Sequence, residues 1–313
     1  MIKRILHILL LSFLLSPQVG KAQQDILISQ YMFNPMFLNP AYAGSHEYWE
    51  STILYRNQWT GWEGAPESQL LSVAGPVLPS LLGFGANVIH DKIGINESLS
   101  ANINFAYHLK LDYTGKHKLS FGLKAGLQSQ RAMLKDLVYW DENDPIYTGN
   151  EILTQNTLLL GAGIYYYSKK AYAGISAPTL FASDLKEVPT GDPTRNSYLK
   201  NHFYLNAGMV FTLSKSIDFK PSILLKYVPN TPLQLDINAH FLINKIVWLG
   251  VSYRTQDALV FMVEVNIKHW IRLGYAYDLT LSDLSKYGNG SHEILLGIDF
   301  GKTIVKSSSP RYF

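Results

Sequence analysis

From Tyr48 onward the chain alternates apolar residues with small or polar ones at a period of two. In 116–131, Leu119, Phe121, Leu123, Ala125 and Leu127 point one way, and Ser120, Gly122, Lys124, Gly126 and Gln128 point the other. In 98–110, Leu99, Ile103, Phe105, Tyr107 and Leu109 oppose Ser100, Asn102, Asn104, Ala106 and His108. Segments 216–228, 232–244 and 270–279 repeat the pattern. Sustained alternation predicts strands, and no long stretch carries the 3.6-residue period of a helix. The predicted strands are 48–56, 67–75, 81–90, 98–110, 116–131, 156–168, 171–177, 199–213, 216–228, 232–244, 246–255, 257–269, 270–279 and 291–300. The third, sixth, seventh and eleventh are less clean, because Gly and apolar residues occupy both faces.

Two architectures accept such strands: a soluble sandwich or propeller with apolar faces packed inward, or an outer-membrane barrel with apolar faces turned to lipid. Strand length favours the barrel, because soluble strands average ~5 to 6 residues and a membrane strand needs ~9 to 11. Aromatics gather near the ends of apolar faces, as at Tyr107, Tyr165-Tyr166-Tyr167, Tyr227, Tyr275 and Tyr277, where headgroups would lie. Loop parity is an independent sign. Odd connections fall at 57–66, 91–97, 132–155, 178–198, 229–231, 256 and 280–290; even ones at 76–80, 111–115, 169–170, 214–215, 245 and the His269-Trp270 joint. Every even turn is short and four odd loops are long, as outer-membrane barrels require. The fold expected is all-β, a transmembrane antiparallel barrel of about fourteen strands over 48–300, with both termini periplasmic.

Composition then fits. Mean hydropathy is 0.00, which by itself suggests a soluble protein. A barrel reaches the same value by averaging lipid-facing Leu, Ile and Phe with lumen-facing Ser, Asn and Gly. Charged residues are only 16% against roughly 25% in soluble domains, and there are 20 Tyr. The net charge of +3 makes nucleic acid an improbable partner. There is no Cys, so thiolate metal sites and disulfides are excluded.

Residues 1–22 have the pattern of a signal peptide. Lys3 and Arg4 precede the apolar run Ile5–Leu15, and Gly20-Lys21-Ala22 sets small residues before a cut at Gln23. Residues 23–47 lack a period but are rich in aromatics, Met and Asn-Pro pairs (Asn34-Pro35, Asn39-Pro40), which favour turns and extended chain. Their apolar side chains need burial, in the lumen or against the periplasmic rim. Residues 301–313 read as a periplasmic tail ending Arg311-Tyr312-Phe313.

Catalytic motifs are absent: no G-x-S-x-G, Walker A, H-E-x-x-H or EF-hand loop. The acidic run Asp141-Glu142-Asn143-Asp144 matches no calcium-ligand spacing and reads as a solvated loop. His108 and His240 face the lumen, with Asp236 and Asp278 as candidate neighbours for a rim hydrolase, although lumenal polar groups usually satisfy one another. Lumenal cations (Lys124, Lys220, Lys226, Arg254, Arg272) are matched by anions (Asp218, Asp236, Glu264, Asp278, Asp299). That balance suggests internal salt bridges or a plug rather than a charge-selective pore. No enzyme activity, cofactor or metal is expected.

SQYMFNPMFLNPAYAGS at 29–45 and YRNQWTGWEGAP at 55–66 resemble the start of the PorP/SprF family of the Bacteroidetes type IX secretion system. NVIHDKIG at 87–94, LSFGLKAGL at 119–127, HFYLNAGMVF at 202–211, WLGVSYR at 248–254, IRLGYAYDLTLS at 271–282 and SHEILLGIDF at 291–300 continue the likeness in order. The resemblance implies an outer-membrane barrel in type IX secretion or surface anchoring of cargo, gliding adhesins among them. It implies periplasmic partners from the secretion machinery and a cargo C-terminal domain at the cell surface. The candidate contact residues are Trp59, Trp62, Tyr139 and Trp140 outside, and Tyr31, Phe33, Phe37, Arg311, Tyr312 and Phe313 on the periplasmic side. An outer-membrane channel or small-molecule transporter is the alternative.

Overall fold

The computed structural model describes residues 26–133, 152–184, 201–229 and 231–301. Its strands are β1 (Trp49–Asn57), β2 (Glu67–Leu78), β3 (Leu82–Ile93), β4 (Asn96–Lys110), β5 (His117–Met133), β6 (Ile152–Ser168) and β7 (Ala171–Asp184). They continue with β8 (His202–Met209, resumed after Val210 at Phe211–Thr212), β9 (Ile217–Tyr227), β10 (Gln234–Ile243) and β11 (Val247–Arg254). The last are β12 (Ala258–Lys268), β13 (Ile271–Thr280) and β14 (Ser291–Phe300). Each pairs antiparallel with its sequence neighbours, and β14 closes the ring on β1 from Trp49 opposite Phe300 to Asn57 opposite His292. The result is a closed fourteen-stranded barrel without a free edge.

The alternation places the two faces as the polarity of the residues demands. Phe105, Leu123, Ile175 and Ile294 point outward and are 55%, 67%, 56% and 51% exposed. Such a continuous apolar belt is untenable in water and correct in hydrocarbon. Ladder pairing between neighbouring strands satisfies the backbone along the belt, which lets strands cross lipid. Tyr107, Tyr227 and Tyr275 stand outward, whereas Tyr165 and Tyr167 face the lumen. The expected run of three belt tyrosines is therefore split, with Tyr166 outside against His117.

Connections of one parity, 58–66, 94–95, 134–151, 185–201, 228–233, 255–257 and 281–290, define a long-loop end. The others, 79–81, 111–116, 169–170, 213–216, 244–246 and 269–270, define a short-turn end. Asn244 and Lys245 both have positive φ, the twist that a tight hairpin needs. Several strand ends differ from expectation, β6 beginning at Ile152 rather than 156 among them, and two differences have a clear cause. The third connection is only Gly94-Ile95, because pairing runs to Ile93, the last residue of β3, opposite Asn96, the first of β4. And β7 runs through Pro178 to Asp184 instead of stopping at Ala177. A register shift beside Leu160 and Ala162 accommodates the proline, which at a bulge costs no ladder bond.

Candidate functional site

In an open pore the inward polar residues would be wet. Here they are buried: Asn102 4%, Asn104 1%, Ser120 0%, Asp236 1%, Asn238 2% and Glu293 0% exposed. The lumen is occupied by residues 26–46, folded as three single 3-10 turns, Tyr31–Phe33, Pro35–Phe37 and Pro40–Tyr42. Both Asn-Pro pairs open a turn, where proline's fixed φ and missing N–H are harmless. Asn39 caps its own turn by accepting from Ala41 N–H, 2.9 Å.

At the long-loop end the segment is clamped by charge. Ser29 Oγ donates to Asp278 Oδ2 (2.7 Å) and accepts from Arg56 Nη1 (3.0 Å) and Arg254 Nη2 (3.2 Å). One proton and two lone pairs are thereby all used. Glu293 accepts the Ser29 N–H and the Gln30 N–H, 2.8 Å each, one per carboxylate oxygen. Arg56 also pairs with Asp278 (2.8 Å) and Glu293 (3.2 Å), and Arg254 with Asp236 (3.3 Å), Asp278 (3.2 Å) and Asp257 (3.1 Å). Arg56 and Arg254 are each 1% exposed. Two desolvated guanidiniums are tolerable only because several carboxylates surround them.

At the short-turn end the same segment is held by fit and neutral hydrogen bonds. Ser120 Oγ donates to Ala41 O (2.6 Å) and Ser176 Oγ to Leu38 O (2.7 Å). His108 Nε2 donates to Ala43 O at 3.1 Å, since a carbonyl only accepts, which leaves Nδ1 for the Tyr167 hydroxyl at 3.1 Å. The strands lack side chains where the segment's backbone lies against them. A Cβ on Gly83 would collide with the Ala43 carbonyl, and one on Gly122 with the Pro40–Ala41 backbone. This accounts for the glycines that blur the third strand. Between the two ends Ile28, Tyr31, Met32 and Leu38 pack on inward-facing Leu54, Leu70, Leu224, Val260 and Leu295. These apolar residues face a lumen because the plug, not water, covers them.

Of the residues anticipated from sequence, Tyr31 is sealed in the lumen at 4% exposure with its hydroxyl on Asn238 Nδ2 (2.7 Å). Phe33 meets His240 and Trp248, and with Phe37 it packs against the same apolar cluster. A partner reaches the Tyr31 ring only if the segment leaves the barrel, whereas Phe33 and Phe37 are partly buried. Trp59 and Trp62 lie on the 58–66 loop, with Trp62 exposed and tilted at 36° against both Trp59 and Tyr287, 5.8 Å between centroids in each case. Tyr139, Trp140, Arg311, Tyr312, Phe313 and the acidic run 141–144 fall outside the described residues. Asp236 and Asp278 pair with arginines, and His108 with the plug, so the suggested hydrolase grouping is not assembled. Among the described residues no cluster of three or more His, Asp or Glu could hold a metal. Arg56, Glu293 and Ser29 were missed from sequence. The phase that puts Thr52 inward also puts Arg56 inward, and that signal was available.

A closed barrel with an apolar belt and a lumen filled by its own N-terminal segment is a plugged barrel of the outer-membrane type. The family model for the type IX secretion system membrane protein PorP/SprF matches residues 20–298, and the chain belongs to that family. No curated protein matches. Among solved structures, CdiB from Acinetobacter baumannii is similar over 82% of this chain and 60% of its own, at 9% identity and a TM-score of 0.44. This chain therefore spans about 60% of CdiB's length. The translocator domain of the autotransporter NalP from Neisseria meningitidis is similar over 86% of this chain and 92% of its own, at 8% identity and a TM-score of 0.42. The outer membrane protein Omp33 of Acinetobacter baumannii gives 81% and 97%, at 9% and 0.42. At such scores the fold rests on the strand ladders themselves.

Proposed function

We propose that this barrel works in type IX secretion by protein–protein contact, in the export or surface anchoring of cargo proteins, with gliding adhesins among the candidate cargo. The supporting observation is the filled lumen. Inward-facing residues such as Ser120 and Glu293 are at 0% exposure, which leaves a passive solute little to pass through and favours an anchor over a channel. Contacts with cargo, including its C-terminal domain, would be made by the long loops, where Trp59, Trp62, Tyr139 and Trp140 supply anchoring rings. Arg311, Tyr312 and Phe313 follow β14, whose last residue, Phe300, lies at the short-turn end, and would meet periplasmic components. A strain lacking the gene should leave its cargo unsecreted or shed into the medium, scored by surface labelling of signal-bearing proteins. Normal display of every such protein would refute the proposal.

A further inference from the structure

Strand order fixes which way the plug points. Arg56, Arg254 and Asp278 each lie within the last three residues of β1, β11 and β13, and Asp236 and Glu293 within the first three of β10 and β14. All five therefore sit at the long-loop mouth, and Ser29 sits among them. Gly83 and His108 lie beside the 79–81 and 111–116 turns, and Tyr167 beside 169–170, so Ala43 sits at the opposite mouth. Between them the order is monotonic: Tyr31 on Asn238 and Asn34 on Ser72 at mid-strand, then Leu38, Ala41 and Ala43. The chain then reaches Trp49, which pairs with Phe300 at the short-turn end.

We infer that the segment traverses the whole lumen, antiparallel to β1, and that Ile26 emerges at the long-loop mouth, on the outer face of the membrane. With a cut before Gln23, as the signal-peptide pattern predicts, three residues precede Ile26, and at ~3.8 Å per Cα step they cannot return to the other mouth. The mature N-terminus is then an extracellular feature. The Ser29 end of the segment lies near the Trp59–Trp62–Tyr287 ledge, since Trp59 N–H bonds Ser291 Oγ (3.1 Å) two residues from Glu293, the acceptor of Ser29 N–H. The expectation of a periplasmic N-terminus is at odds with this inference, on which any partner of that terminus is met outside the cell. The inference goes beyond the cargo-anchoring proposal and does not depend on it.

The absence of Cys makes the test clean. One variant carries a cysteine inserted between Asp25 and Ile26; Y287C marks the long-loop face and K170C the short-turn face. Intact cells are treated with a membrane-impermeant maleimide, then the measurement is repeated after permeabilising the outer membrane. The inserted cysteine should label in intact cells as Y287C does, with K170C labelling only after permeabilisation. If it labels with K170C instead, or if K170C is the one reached in intact cells, the inference falls. Should the thiol be poorly reactive, an epitope inserted at the same place and probed by antibody on intact cells distinguishes the same two faces: binding without permeabilisation supports the outer location, and binding only after it overturns the inference. A cargo-display assay can fail while this labelling succeeds, so the two readings are judged separately.

Discussion

The two mouths of the lumen hold the same segment by opposite means. At the long-loop mouth, side chains reach in: two arginines and two carboxylates converge on Ser29 and the Gln30 N–H, with Asp236 behind them on Arg254. At the short-turn mouth, side chains are withdrawn: Gly83 and Gly122 let the Pro40–Gly44 backbone lie directly on the strands. The first is broken by taking atoms away, the second by adding them. A charged clamp has strength but needs complete pairing, whereas a steric seat has little strength of its own and tolerates no bulk.

Adding bulk at the steric mouth should have the largest effect. G122L, or G83V, places atoms where plug backbone already is, so the segment must leave its seat; at Gly122 the ladder runs unbroken on the β4 side and persists. Purified protein should keep its heat-modifiable barrel mobility yet gain protease sensitivity before residue 46 and conductance in planar bilayers. An unchanged closed barrel would remove the steric half of the contrast. Next comes R254M, which strips one cation from Asp236 and Asp278 and should destabilise the seated plug by about 3–5 kcal/mol. The checks are the denaturant midpoint and cleavage at the outer end of the segment. E293Q keeps shape but loses charge, so it should cost less than R254M, about 1–3 kcal/mol, and an equal or greater loss would show that Glu293, not the arginines, governs the clamp. Smallest is S120A, one neutral hydrogen bond to Ala41, about 1 kcal/mol. If S120A matched R254M, the two mouths would not differ in kind.

Much of this was legible in the sequence. Alternation located all fourteen strands, most to within a few residues, and β14 at 291–300 as it stands. The phase also put Asp236, Arg254, Asp278 and His108 inward, and charge balance pointed to internal pairing. Tyr165, Tyr167, Leu54 and Leu295 were not legible as lumenal. A two-sided rule of apolar to lipid and polar to water has no place for a third environment, the apolar plug.

By itself the sequence determined the barrel. Strands of this length with one apolar face can satisfy every backbone group in lipid only by closing on themselves. Which inward groups meet was decided by the tertiary structure. Ser29 reaches Asp278 and Glu293 across 249 and 264 residues of chain, a pairing that no local pattern encodes. It exists because ring closure brings β14 beside β1 and because the segment ahead of β1 threads the space that closure creates.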